Sequence, residues 1–245
     1  MTEPIIELKD VSFSAQNMRI VRDFSFQFEA GKTTALVGPS GSGKSTVLKL
    51  SSGLLVPTRG EVCFRGKNIF SMNRAQNMAF RREGAMVFQD SALWANQTLD
   101  QILELPLRIH YPNMTKTERS EWINKVLAEV GYKKELMIRP ALLSMGEQKL
   151  IAFARALLCQ PTLLFLDEWT ESLDDSAAQR LIAIVKRMQE KQHTIIFVSH
   201  DFRIIKNLAD YIIMVLGGRL YLKFTREQIA TDDDFAQLVE KGIAS

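Results

Sequence analysis

A chain of 245 residues with 46% hydrophobic and 24% charged residues is ordinary for a soluble globular protein and can bury a sizeable core, as one large α/β domain or two small ones. A net charge of +3 is too small to argue for a nucleic-acid partner, and Cys63 and Cys159 lie far apart without C-x-x-C spacing, which speaks against a metal knuckle or disulfide framework and suits a reducing compartment. The first ten residues lack the apolar core of a signal peptide, and no run of about eighteen apolar residues occurs, so the chain is not expected to cross a membrane by itself.

From Ile5 to Phe28 the pattern is β-rich, with Ile6, Leu8 and Val11 followed by strict alternation from Phe24 to Phe28 and a stop at Ala30-Gly31. Thr33 to Val37 reads as a short buried strand. It leads into Gly38-Pro39-Ser40-Gly41-Ser42-Gly43-Lys44-Ser45-Thr46, which fits G-x-x-x-x-G-K-[ST], and the apolar residues Val47, Leu48 and Leu50 then predict a helix over 45–51. Strand, glycine-rich turn and helix start together make a phosphate-binding loop, in which backbone N–H groups and the positive end of the helix face phosphate oxygens. Lys44 is placed to meet the β- and γ-phosphates, and Ser45 can ligate Mg²⁺.

A strand bounded by Gly60 is expected from Glu61 to Phe64, then a polar stretch around Asn68 to Arg82. Ala85 to Phe88 is a further apolar strand ending on Gln89, a polar group at a carboxyl end where nucleotide would lie. Between Asp90 and Pro140 the pattern turns helical: Leu99, Ile102 and Leu103, a break at Leu105-Pro106, then Trp122, Ile123, Val126, Leu127 and Val130 before Gly131. This marks an inserted helical subdomain. Within it Trp94, flanked by small and polar residues from Ala92 to Asn96, is either a contact surface or core.

Leu143-Ser144-Met145-Gly146-Glu147-Gln148 opens a helix with Ser144 as N-cap, a start that can also present donors to an anion. Leu163 to Leu166 reads as a strand buried on both faces that ends in Asp167-Glu168. Two carboxylates there are expensive without a cation or a reaction to use them; Asp167 suits Mg²⁺, and Glu168 suits proton abstraction from an attacking water. A helix through Leu181, Ile182, Ile184, Val185 and Met188 precedes a second buried strand, Thr194 to Val198, which delivers Ser199-His200. His200 is read as phosphate-sensing rather than as a cap for the next helix, while His110 and His193 read as solvated. Tyr211 to Leu216 and Arg219 to Leu222 suggest a closing hairpin, and Asp232 to Asp234 a start for a short terminal helix from Phe235.

With these residues in this order, the chain resembles the nucleotide-binding subunits of ABC-type ATPases over essentially its whole length. The matching segments are the 38–46 loop, the Gln89 loop, the 143–148 signature, the Asp167-Glu168 end, the Ser172-Leu173-Asp174 loop and the His200 switch. The resemblance implies an α/β P-loop NTPase with a mixed central sheet, an antiparallel β subdomain and a helical insert at roughly 90–160, all within one ATPase domain over 1–245. It implies ATP and Mg²⁺ as ligands, with Ser45, Gln89 and Asp167 at the metal and Glu168, His200, Lys44 and Gln89 at the chemistry. It also implies a head-to-tail dimer in which Ser144, Gly146, Gln148 and Asp174 complete the partner's ATP site. Three positions depart from the family. Ala15 stands where an aromatic usually stacks on adenine, with Phe13 on the same strand face as a substitute or as core; Met145 replaces the first signature glycine; Trp169 follows Glu168 where proline is commoner.

A narrower similarity is to the ATPases of MCE-type bacterial lipid transporters, carried by Phe88 to Trp94, Leu105-Pro106-Leu107-Arg108, Gly146 to Leu150 and Asp234 to Val239. It implies phospholipid transport, a multi-span permease docked near Trp94, an MCE-domain lipid-binding protein, and a peripheral place on the cytoplasmic face of the inner membrane. The Leu-Pro-Leu feature is shared with ATPases of lipoprotein-release and small-substrate exporters. A soluble non-transport ABC ATPase, such as an iron–sulfur assembly scaffold or a division-site signalling module, is the rival reading, distinguished by whether the surface from Ala92 to Asn96 binds a membrane subunit.

Overall fold

Alternating apolar side chains pair the first two strands, β1 (Pro4–Ala15) and β2 (Met18–Glu29), through a two-residue turn in which Gln16 and Asn17 both adopt positive φ. The computed structural model describes residues 4–231; the Asp232 to Asp234 run, the helix expected from Phe235 and the Asp234 to Val239 similarity lie outside them. Then come β3 (Thr33–Val37), α1 (Lys44–Ser51), β4 (Arg59–Phe64), β5 (Lys67–Asn68), α2 (Arg74–Glu83) and β6 (Gly84–Val87). The next elements are α3 (Leu99–His110), α4 (Lys116–Val130), α5 (Met145–Leu157), β7 (Leu163–Asp167) and α6 (Asp175–Glu190). Last are β8 (Thr194–Val198), α7 (Phe202–Leu208), β9 (Tyr211–Leu216), β10 (Arg219–Thr225) and α8 (Arg226–Thr231).

Two sheets result. One is antiparallel, in the order β2-β1-β4-β5; the other has six strands in the order β10-β9-β3-β8-β7-β6, parallel from β9 to β6 with β10 added as a hairpin. All five residues of β3, of β7 and of β8 are buried, as expected for strands covered on both faces. Strand alternation divides the core accordingly: Leu36 packs with α1 and the antiparallel sheet, while Ala35 and Val37 pack with α3 to α6. The carboxyl ends of β3, β6, β7 and β8 therefore open at one edge, which carries Gly38, Gln89, Glu168 and His200.

Several sequence expectations are corrected. The break at Leu105-Pro106 does not occur, because α3 runs through Pro106 with Leu99, Ile102, Leu103 and Leu107 buried on both sides of it. An internal proline costs about 3 kcal/mol, and burying four such side chains at about 1.5–3 kcal/mol each outweighs it. The polar stretch around Asn68 to Arg82 contains α2, started by an Asn73–Gln76 capping box and anchored by buried Phe80. β4 begins at Arg59, before Gly60, and β10 runs three residues beyond Leu222 to Thr225. His110 and His193 are half-buried rather than solvated, and burial holds both imidazoles below their usual range.

Candidate functional site

Gly38 turns the chain out of β3 with φ 143°, and a Cβ there would lie 2.2 Å from the Val215 carbonyl, so only glycine fits. At the other end of the loop Gly43 is the N-cap of α1 and has no side chain to satisfy the helix's first N–H groups. Lys44 is buried and its Nζ donates to the Gly38 and Pro39 carbonyls at 2.7 and 2.9 Å. Burial lowers its pKa, a trend opposed by Glu168 and Asp167. The buried Ser42 hydroxyl has no hydrogen-bond partner among the described residues. Uncapped helix donors, an orphaned hydroxyl and an ammonium held only by carbonyls are what an entering phosphate would satisfy. Ser40, Gly41, Gly43, Lys44, Ser45 and Thr46 line a cavity of about 400 Å³ together with Ile20, Gln89, Glu168 and His200.

Ser45 Oγ donates to Asp167 Oδ1 at 2.8 Å, joining the loop to the end of β7. Asp167 is 1% exposed, and burial raises its carboxyl above the usual range against the pull of Ser45, Lys49, Lys149 and Lys44. A hydroxyl and a carboxylate oxygen facing each other form a hard-oxygen pair suited to Mg²⁺, with the remaining positions left to phosphate and water. Glu168 follows with φ 42°, a left-handed conformation costly for a residue with a side chain. Its N–H donates to the Val198 carbonyl at 3.1 Å; its carboxylate meets His200 Nε2 at 3.1 Å and accepts from the His200 N–H at 3.3 Å. Burial raises the Glu168 pKa while His200 pulls it down. His200 does not cap α7, because Asp201 does so by accepting from the Arg203 N–H. Gln89 is exposed and its Nε2 donates to Glu171 Oε2 at 3.1 Å, leaving the amide oxygen as its free ligand atom.

Of the signature residues, Met145 and Gln148 border an opening beside Ser45, Gln89 and Asp167, while Ser144 and Gly146 lie apart from both that opening and the phosphate-loop cavity. Ser144 is exposed, caps α5 and exchanges hydrogen bonds with Glu147 in a capping box. Neither Ser144 nor Gly146 lines the cavity of its own phosphate loop. Gly146 has an intrachain reason to be glycine: a Cβ would sit 2.9 Å from the Ser172 carbonyl of the loop after β7. Met145 lies in the first turn of α5, is not among the residues of positive φ, and is 71% exposed, so its side chain meets no backbone obstacle. Gln148 turns its amide nitrogen to the Pro140 and Leu143 carbonyls at 3.2 and 3.3 Å, and Asp174 caps α6 by accepting from the Ala177 N–H at 2.8 Å.

Ala15 offers no stacking surface. Phe13 packs partly buried against the β1–β2 core, and Ile20 and Val198 are the apolar residues at the cavity. Trp169 is completely buried, its ring 5.7 Å from that of Phe153, so in place of a proline it packs the end of β7 against α5. Sequence reasoning missed Ile20, Glu171 and Lys149. The last could have been found from spacing, since it lies four residues before Phe153 and seven before Ala156, on the buried face of α5.

A separate, more apolar groove of about 520 Å³ lies between α2, β6, α3 and α5, lined by the apolar Phe80, Met86, Phe165 and the exposed Ile109 together with Arg81, Arg82 and Arg155. Trp94, 45% exposed, borders it under the Arg155 guanidinium, whose nitrogens bind the Ala92 and Ser91 carbonyls at 2.7 and 3.1 Å. Trp94 is therefore surface. Burial pushes the Cys159 thiol in this groove up to about 11.

A phosphate loop, an acidic strand end beside it and a histidine on the next strand end define a P-loop ATPase. The model of the ABC transporter family matches residues 21–171, and the chain belongs to that family, as an ATP-binding ATPase cassette. It is 37% identical over 205 residues to the uncharacterised ABC transporter ATP-binding protein YejF of Escherichia coli K12, covering 82% of this chain but 39% of that protein's length. It is 34% identical over 209 residues to the nickel import ATP-binding protein NikE of Shigella flexneri, covering 84% of this chain and 78% of NikE. Among solved structures, the dimeric ABC transporter cassette MJ0796 superposes with a TM-score of 0.83 at 27% identity over 90% of this chain and 98% of that one. Its post-hydrolysis dimer bound to ADP and Pi gives 0.82 at 26% identity over the same shares. Among the described residues no helix is long and apolar enough to cross a membrane.

Proposed function

We propose that this chain is the ATP-hydrolysing motor of a membrane transporter, working as one ATPase domain whose 90–160 segment is a helical arm, and paired head to tail with a second copy. The observation that carries this reading is the split site: Lys44, Ser45, Glu168 and His200 line one cavity, to which Asp167 is joined through Ser45 Oγ, while Ser144 and Gly146 lie outside it, exposed or half-buried. The dimeric cassette structures among the structural neighbours favour the same pairing.

In this reading the ATP phosphates enter the 38–46 loop and replace the Gly38 and Pro39 carbonyls as partners of Lys44. Ser45, Asp167 and the Gln89 amide oxygen would hold Mg²⁺, whose charge offsets that on the phosphoryl oxygens. The Glu168 carboxylate takes a proton from the attacking water, oriented by the His200 side chain and N–H. Ser144 and Gly146 of one copy close on the nucleotide of the other, and Asp174 lies at that seam.

The groove beside Trp94 receives a segment of a multi-span permease, which places the chain peripherally on the cytoplasmic face of the membrane. Two cargo readings rest on different observations. The residues around Phe88 to Trp94, Leu105 to Arg108 and Gly146 to Leu150 favour lipid transport with an MCE-domain protein. Similarity to the nickel import ATP-binding proteins NikE favours nickel import.

Affinity purification of the tagged Glu168→Gln chain from gently solubilised native membranes with ATP tests both. A permease with an MCE-domain protein and phospholipid supports the lipid reading; a permease without either supports an importer. Recovery of soluble proteins alone would overturn the transporter assignment in favour of a scaffold or signalling ATPase.

A further inference from the structure

Lys149 is 2% exposed, yet none of the ion pairs among the described residues includes it. Its ammonium instead donates to three backbone carbonyls: Phe88 at 3.2 Å, Gln89 at 2.5 Å and Glu168 at 3.4 Å. Three donors meet three acceptors, so the group is saturated. Carboxylates of Glu171, Asp167, Asp90 and Glu168 surround it at longer range. A methionine or leucine would fill the same volume without the cost of desolvating a charge, which is a reason to look for what the ammonium does rather than where it packs.

The two strand ends that it joins are those of β6, carrying Gln89, and β7, carrying Glu168. Glu168 sits in a left-handed conformation that its own chain disfavours, with its N–H tied to Val198 on β8. Its carbonyl is tied to Lys149, so the residue is clamped on both sides and the direction of its side chain toward His200 is set from outside. Phe88, the third anchor, is also in the wall of the apolar groove.

We propose that Lys149 is a positioning residue of the ATPase site, a charged strut from α5 that fixes the Gln89 loop relative to Glu168 and thereby aims the Glu168 carboxylate. The proposal rests on the reading of Glu168 as the base. The Lys149 ammonium bonds to Phe88, Gln89 and Glu168 and to no residue of the 38–46 loop, so it acts on turnover more than on nucleotide binding.

The test uses the full chain with Lys149→Met, Lys149→Gln and, in parallel, Glu168→Gln. It reads kcat and KM for ATP with Mg²⁺, the Kd of a fluorescent ATP analogue, and thermal midpoints. A small misplacement of a reacting group costs up to about 100-fold, so Lys149→Met is expected to lose about 10- to 100-fold in kcat with the analogue's Kd changed by less than about threefold. Lys149→Gln, which keeps two donors, should fall between Lys149→Met and the parent, and it gives the result by itself if Lys149→Met does not fold. A kcat within about twofold of the parent in the variant that folds, or a kcat and an affinity that fall together, would overturn the proposal. If Glu168→Gln abolishes turnover while the Lys149 variants do not lower it, only the strut falls. Retained turnover in Glu168→Gln removes the base and the strut together.

Discussion

In the proposed mechanism Glu168 is a carboxylate put to use against its preferences: buried, raised in pKa, in a left-handed backbone, and met by His200 from two sides. Replacing it by Gln keeps the shape and removes the base, so turnover should fall by at least about 100-fold while ATP still binds. Residual hydrolysis near the parent level in a phosphate-release assay would refute the role. Gly146 offers a stability counterpart. Alanine there would press on the Ser172 carbonyl at 2.9 Å, and overpacking of this kind costs about 1–3 kcal/mol, readable as a lower urea midpoint. An unchanged midpoint would show that the loop after β7 yields freely. Trp169→Ala, which empties a fully buried site against Phe153, should cost about 3–5 kcal/mol by the same measurement. At this scale the phosphate-loop and acid residues were legible because each carries its chemistry in its type. Lys149 shows only in its spacing on the buried face of α5, and Ile20 not at all, since an isoleucine on a strand has no signature until the fold surrounds it.

Among the elements, the buried strands β3, β7 and β8 were legible with their ends as unbroken apolar runs, and α5 from its Ser144 cap. α2 was missed because it buries one large side chain, Phe80, and so has no apolar stripe; only the Asn73–Gln76 pair announces it. α3 was cut at Pro106 because a local rule was weighed without the tertiary packing that overrides it. The cap of α5 carries a pH dependence. Glu147 is held below the usual carboxylate value of 4.5 by the Lys134 ammonium first and by Ser144 next. A depressed folded pKa stabilises the protein above the unfolded value, and that contribution disappears as pH falls through the folded one. Glu147→Gln should therefore lower the thermal midpoint at neutral pH, with the difference from the parent closing in acid well below pH 4.5. A difference that persists there would locate the effect in packing instead.

For the whole molecule, the order of six motifs implied the fold, and the two cores explain why that order works: one sheet buried on both faces gathers four strand ends at one edge. What the sequence left open is what lies beyond the chain, because cargo is chosen by a partner and the groove beside Trp94 records only an apolar lining with three arginines. The split between the phosphate loop and the signature helix makes the central claim measurable. Light scattering of the purified Glu168→Gln chain, with ATP and Mg²⁺ and then without, decides it most directly. The account predicts twice the chain mass with ATP, the single mass without it, and loss of the ATP-dependent dimer when Ser144 is also changed to Arg. A single mass at saturating ATP, in a chain shown to have ATP bound, would contradict it.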